Sequence, residues 1–132
     1  MKQNKKVLAI CLGMQHANVV FGGTLTEDIP TLIPGAIDHG KFNGKHSIHS
    51  IKIEKESLLF DVLGSQAADV ASTHHQSIKS LGKEIKVTAC SEDGVVEAIE
   101  IKNKNNFIGV QWHPELLKES KESKKIFSWL QS

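Results

Sequence analysis

The sequence predicts an α/β fold, and three stretches carry that expectation. Val7-Leu8-Ala9-Ile10 is a short continuous apolar run, the pattern of a strand covered on both faces. Directly after it the period changes: Met14, Ala17 and Phe21 fall at i, i+3 and i+7 within Leu12 to Phe21. That spacing is helical, and Gly22-Gly23 supplies the stop. Far downstream, Phe107 to Gln111 repeats the apolar strand pattern, and Ser120 to Leu130 closes the chain as an amphipathic helix with Ile126, Phe127 and Leu130 facing in.

The intervening elements follow in order. Residues 29–45 carry Pro30, Pro34, Gly35, Gly40 and Gly44 and read as a loop. Ser47 to Glu54 alternates through Ile51 and Ile53 as a strand does, and Ser57 to Leu63 is a short apolar helix or turn closed by Gly64. Val70-Ala71-Ser72 is extended and leads into His74-His75-Gln76. Ile85, Val87 and Ala89 then alternate, Asp93-Gly94 turns, and Val95 to Ile101 returns, a β-hairpin. No repeat or low-complexity tract divides the chain, so residues 1–132 are expected to form a single domain. In open α/β sheets, active groups gather at the carboxyl ends of strands. The Val7–Ile10 strand is therefore expected to lie parallel to Phe107–Gln111, with Cys11 and His113 at one edge.

Composition narrows the partners. The 132 residues carry 16 basic and 15 acidic side chains, a formal net charge of +1, and every basic one is lysine. Without the guanidinium forks that read bases and grip phosphates, nucleic acid is an unfavoured partner. Two cysteines, Cys11 and Cys90, are too few for a disulfide framework and point to a reducing compartment. Lys2, Lys5 and Lys6 ahead of an apolar run imitate a secretory leader. Only four apolar residues, Val7 to Ile10, precede Cys11, whereas an h-region needs about 7–15. No run approaches the roughly 18 apolar residues of a membrane span. A cytoplasmic protein with no membrane partner is expected.

The candidate chemistry begins at Cys11. Strand, cysteine, then glycine and helix is the layout of a nucleophile elbow, in which a sharp turn lifts the reactive side chain out of the sheet. Gly13 keeps the neighbouring backbone from crowding that turn. The helix N-terminus at Leu12 aims its dipole and free N–H groups at the sulfur, which is expected to lower the thiol pKa and to offer one oxyanion donor. Taken alone, Cys11 reads more readily as a buried core thiol. Gly109-Val110-Gln111-Trp112-His113-Pro114-Glu115 changes that, because it ends a strand with a histidine and a carboxylate two residues apart. An imidazole so placed can take a thiol proton through one nitrogen while the carboxylate orients the other. His39, His46 and His49 are irregularly spaced, and adjacent His74 and His75 diverge on an extended segment, so no metal is expected. Cys90 reads as a free strand thiol.

Together these blocks resemble the class I glutamine-amidotransferase-like superfamily, and within it the γ-glutamyl hydrolase branch, cysteine peptidase family C26. The likeness rests on Ile10-Cys11-Leu12-Gly13-Met14-Gln15 with Gly22-Gly23-Thr24-Leu25, on Ser72 to Gln76, on Asp93 to Glu100, and on Gly109 to Glu115, in that order. The resemblance implies a partial flavodoxin-like fold, a mostly parallel sheet flanked by helices with a β-hairpin. It also implies hydrolysis of γ-glutamyl amides through a thioester, with no cofactor. Cys11 would be the nucleophile, His113 the general base and acid, and Glu115 the residue that orients it. The Leu12 N–H would be half of the oxyanion hole, and Gln15 and His74 would bind the substrate. Ala9 stands where the family usually has glycine, and family domains are about twice as long, so the match is to their C-terminal half, beginning just before the nucleophile strand. The alternatives within that resemblance are a glutaminase subunit that feeds a synthase and a non-catalytic or partner-complemented fragment. Expected partners are a small γ-glutamyl substrate and either a second copy of the chain or a complementing N-terminal half.

Overall fold

The computed structural model describes residues 5–26, 41–42, 45–72, 77–117 and 119–132. Within them the chain runs β1 (Val7–Ile10), α1 (Leu12–Val20), β2 (Thr24–Thr26), β3 (Lys41–Phe42), β4 (Lys45–Ile53), α2 (Leu58–Leu63), β5 (Ala67–Ser72), β6 (Ser77–Ser80), β7 (Ile85–Ser91), β8 (Val96–Ile101) and β9 (Phe107–Val110). A 3-10 turn over Pro114–Leu117 and α3 (Lys121–Gln131) complete it. The main sheet has the order β1-β9-β8-β7-β4-β3, with β5 also paired to β4, and β2 and β6 form a separate two-stranded ribbon.

The α/β class is as expected, but the strand directions differ from a mostly parallel sheet. Only β1 and β9 pair in parallel among the described strands, whereas β3–β4, β4–β5, β4–β7, β7–β8 and β8–β9 are antiparallel. The reason is connection length. A parallel return needs a crossover of a dozen or more residues, and the turns joining β7, β8 and β9 are too short for one. The crossover from β1 to β9, by contrast, takes in nearly the whole chain. As expected, Asp93-Gly94 turns the hairpin, with Gly94 at φ 84°. Most of the proposed loop at 29–45 lies outside the described residues. The β2–β6 ribbon was not foreseen, because its strands are short.

Each face of the sheet carries its own apolar cluster. On one, Leu8 and Ile10 of β1 join Ile108, Val110, Ile51, Ile53 and Ala98 beneath Leu59 and Leu63 of α2 and Ile126 and Trp129 of α3. On the other, Val7 and Ala9 join Phe107, Ile99 and Ile85 beneath Met14 and Ala17 of α1 and Ile78 of β6. Alternation along β1 thus feeds both layers, which is why its sequence is apolar throughout. Helix ends are capped locally. Ser57 Oγ accepts from Phe60 N, Glu100 takes the N–H groups of Leu58 and Leu59 at 3.0 and 2.9 Å, and Gly64 closes α2 in the left-handed region. A buried carboxylate on two free N–H groups suits the positive end of a helix.

Along α1 the Met14, Ala17 and Phe21 spacing holds for Met14 and Ala17, which pack in the second cluster, but not for Phe21. The helix's buried residues are Met14, Gln15 and Asn18, and Phe21 is exposed. Asn18 explains the difference. Its side chain donates to Ser80 O at 3.0 Å and accepts from Gly82 N at 2.7 Å, so a polar hub fastens α1 to the ribbon and the segment after it. The opposite face leaves Leu12, Val19 and Val20 exposed, and β1 has β9 as its single described neighbour.

Gly109 sets the closeness of α1 to the sheet. A Cβ there would come within 2.9 Å of both Ile99 Cγ1 and Met14 Cγ. Gly109→Ala should push α1 away from β9 and lower stability by about 1–3 kcal/mol, the usual cost of overpacking. Denaturant unfolding checks this, and a change below about 0.5 kcal/mol would mean that α1 is not pressed on β9 as described.

Candidate active site

Cys11 sits at the point where β1 becomes α1. Its N–H donates to Val110 O at 2.7 Å, which extends the parallel ladder one residue beyond Ile10. Its carbonyl then accepts the first helical bond, from Gln15 N at 3.1 Å. Doing both within one residue forces φ 51° and ψ −102°. Such a backbone conformation costs a non-glycine residue on the order of 1–3 kcal/mol and is held only where packing over-determines it. Close packing at this turn comes from Gly13, where an added Cβ would lie 3.4 Å from Ala9 Cβ. The elbow expected from the sequence is therefore formed, strain included.

The register of β1 on β9 decides what Cys11 meets. Ile10 lies opposite Val110, so Cys11 and Gln111 leave the sheet together. Gln111 is fully buried, donates through Nε2 to Cys11 Sγ at 3.5 Å, and accepts at Oε1 from Gln15 Nε2 at 3.1 Å. His113 follows, held between buried Trp112 and buried Pro114. Its backbone N–H donates to Ala71 O of β5 at 2.9 Å. Its Nδ1 lies 2.9 Å from Glu115 Oε2. A carboxylate on Nδ1 fixes the tautomer that leaves Nε2 as the basic nitrogen. Cys11 and His113 thus share the carboxyl end of the β1–β9 pair, and the histidine–carboxylate spacing seen in the sequence is a real contact.

The remaining expected positions divide. Leu12 begins α1, and its backbone N–H pulls the Cys11 thiol pKa down. Gln15 is buried at 3% exposure, with its amide turned to Gln111. His74, with His75 and Gln76, lies outside the described residues, as does His39. His46 and His49 fall on β4, and no metal-holding group of His, Cys, Asp or Glu occurs among the described residues. Two site residues escaped the sequence reading. Gln111 was seen only as part of a motif, though its place directly after an apolar strand was the available signal. Glu97, fully buried on β8, takes Gln111 N on its carbonyl at 2.7 Å and acts electrostatically on Cys11.

The charge state of Cys11 reverses an expectation. Burial pushes its thiol up from the ordinary 9.0 and outweighs the Gln111 donor and the Leu12 N–H, which pull it down; Glu115 and Glu97 push it further up. The helix terminus does favour the thiolate, but desolvation of the charged form wins. The packed site therefore favours the neutral thiol over the thiolate.

The geometry so far defines an α/β chain with a strained cysteine elbow at the end of β1 and a histidine–carboxylate pair just past the end of the neighbouring β9. The sequence model of the Peptidase C26 family matches residues 1–115, and the chain belongs to that family. It is 41% identical over 123 residues to protein NtpR of Enterococcus hirae, covering 91% of this chain and 51% of NtpR. It is 32% identical over 116 residues to the γ-glutamyl-γ-aminobutyrate hydrolase PuuD of Escherichia coli, covering 83% of this chain and 45% of PuuD. A glutamine amidotransferase structure from Methylobacillus flagellatus shares the fold with a TM-score of 0.64 at 19% identity, over 97% of this chain and 43% of that one. The chain spans about half the length of these relatives. No helix among the described residues is long and apolar enough to cross a membrane.

The pKa direction sets a pH dependence. Because the folded state holds the Cys11 proton above the ordinary 9.0, its contribution to stability is complete below that pH. It is lost as pH rises through the folded value. Iodoacetamide alkylation of Cys11, followed by peptide mapping, should rise with a midpoint above 9.0. A midpoint well below 8 would mean that the thiol is preactivated in this state.

Proposed function

We propose that this chain carries the catalytic residues of a hydrolase that cleaves γ-glutamyl amide bonds through a thioester on Cys11. The observations that support it most are the strained elbow at the end of β1 and, past the end of the paired β9, the His113–Glu115 contact, 2.9 Å between Nδ1 and Oε2. In the proposed reaction His113 Nε2 takes the thiol proton as sulfur attacks the γ-carbonyl carbon. The Leu12 N–H stabilises the oxyanion, and the imidazolium returns its proton to the leaving amine. Water, deprotonated by the same imidazole, then releases glutamate and the free thiol. Glu115 holds the ring and stabilises its charged form. Gln15 and His74 are the proposed substrate contacts, carried over from the family resemblance. The family match and the likeness to PuuD favour the γ-glutamyl class. A reducing, cytoplasmic setting belongs to the same proposal, and both Cys11 and Cys90 are free thiols.

The proposal extends to a partner. Either a further segment of the family domain or a second copy of this chain covers the open side of β1 and the outer face of α1. The support is the coverage of about half of each relative, an all-apolar strand that pairs with β9 alone among the described strands and the exposed Leu12, Val19 and Val20. An uncovered edge and apolar face of this kind are features that folded domains normally hide. Such a segment would also complete the oxyanion hole, where one donor is worth about 10²–10³ in rate.

Turnover of γ-glutamyl-p-nitroanilide tests both parts. The chain supplied with the N-terminal half of a family member should release p-nitroaniline roughly 10²-fold faster than the chain alone. Cys11→Ala should abolish release, and His113→Ala should lower it by about 10²–10⁴. Release that survives Cys11→Ala would overturn the nucleophile assignment; turnover by the isolated chain that the added half does not improve would overturn the partner. Parallel assays with glutamine would show whether the site instead behaves as a glutaminase.

A further inference from the structure

We infer that Gln111 is a positioning residue for Cys11, and that Gln15 sets the direction in which the Gln111 amide points. The inference rests on the reading of Cys11 as nucleophile and adds to it a pair of residues that acts through the sulfur. A side-chain amide presents a donor at one end and an acceptor at the other, and the two ends can exchange by a half-turn of the group. Only one orientation puts an N–H on sulfur. Gln15 selects it, because its own Nε2 donates to Gln111 Oε1 at 3.1 Å and leaves Gln111 Nε2 turned to Cys11 Sγ at 3.5 Å. Both glutamines are buried, at 3% and 0% exposure.

The two backbones make the arrangement rigid. Gln15 lies one helical turn after Cys11 on α1, tied by Gln15 N to Cys11 O. Gln111 is held at the end of β9, with its N–H on Glu97 O at 2.7 Å. The amide pair therefore spans from the helix that carries the nucleophile to the strand that leads to His113. A donor fixed on sulfur favours thiolate over thiol and restricts the Cys11 rotamer, since the Sγ–Nε2 contact is lost when the side chain swings away. The other charged or titratable groups bearing on the sulfur are Glu115 from the 3-10 turn and Glu97 from β8, both of which oppose ionisation, with His113 close by in sequence. Gln111 is the side-chain donor among the influences that favour the thiolate, and the Leu12 N–H is the backbone one.

The test is alkylation of Cys11 as a function of pH in a Cys90→Ser background, which reads the thiol without a γ-glutamyl substrate. Gln111→Met keeps the length and removes the donor. It should raise the midpoint by about one pH unit and slow alkylation at pH 8 several-fold, somewhat less than tenfold because a more basic thiolate is a better nucleophile. Gln15→Met keeps Gln111 but releases its orientation, and should shift the midpoint the same way by a smaller amount. A merely structural pair would lower the melting temperature and leave the midpoint in place, and that result in either folded variant overturns the inference. Should neither variant fold, wild-type protein labelled with ¹⁵N-glutamine decides: one buried side-chain amide pair must titrate with the Cys11 midpoint, and its absence overturns the inference equally. Failure of the hydrolase reading would show as absent turnover with these shifts intact. Failure of the inference would show as intact turnover without them.

Discussion

The site depends on the parallel pairing of β1 with β9. Hydrogen bonding continues one residue past the strand, from Cys11 N to Val110 O, at the residue whose carbonyl starts α1. Those two demands are met together by a positive φ at Cys11, and the turn that results brings its sulfur to Gln111. The strain is local; what balances it is not. Met14 pressed on Gly109, the Asn18 hub and the close Ala9–Gly13 approach hold α1 against the sheet in the one place that leaves the elbow no relaxed alternative.

The same pairing places His113. Trp112 and Pro114 are buried on either side of His113, and the His113 N–H is fixed to β5. A histidine on a turn is ordinarily mobile; here both neighbours are anchored, so its ring has little freedom beyond its own torsions. Electrostatics then sets the resting state. Burial and two carboxylates keep the Cys11 thiol protonated against the pull of the helix N-terminus and Gln111. An arrangement of that kind holds a neutral thiol, and under the proposed function His113 would have to take its proton.

Much of this was readable from local pattern. The β1 run, the Asp93-Gly94 hairpin and the Gly64 stop are set by apolar periodicity and by turn residues whose backbone needs are specific. The contact between His113 and Glu115 followed from their spacing. What could not be read depends on partners distant in the chain. The inward face of α1 is governed by Asn18, whose acceptor and donor lie at Ser80 and Gly82, and helical periodicity counts a buried asparagine as polar and exposed. Gln111 looked like one letter of a motif because its partners, Cys11 and Gln15, are about a hundred residues away. The direction of the thiol shift was misjudged for a related reason: a helix dipole is visible in sequence, whereas desolvation is a property of the packed site.

The proposed function requires that Cys11, and not Cys90, be the thiol that a γ-glutamyl group reaches. A γ-glutamyl diazoketone, which alkylates a thiol only after binding as substrate would, addresses it directly. Add it to the chain supplied with an N-terminal family half, with and without excess glutamate, and map the modified cysteine by mass spectrometry. The account expects labelling at Cys11 alone, slowed by glutamate and lost in His113→Ala. Equal labelling of Cys11 and Cys90, indifferent to glutamate, would contradict it.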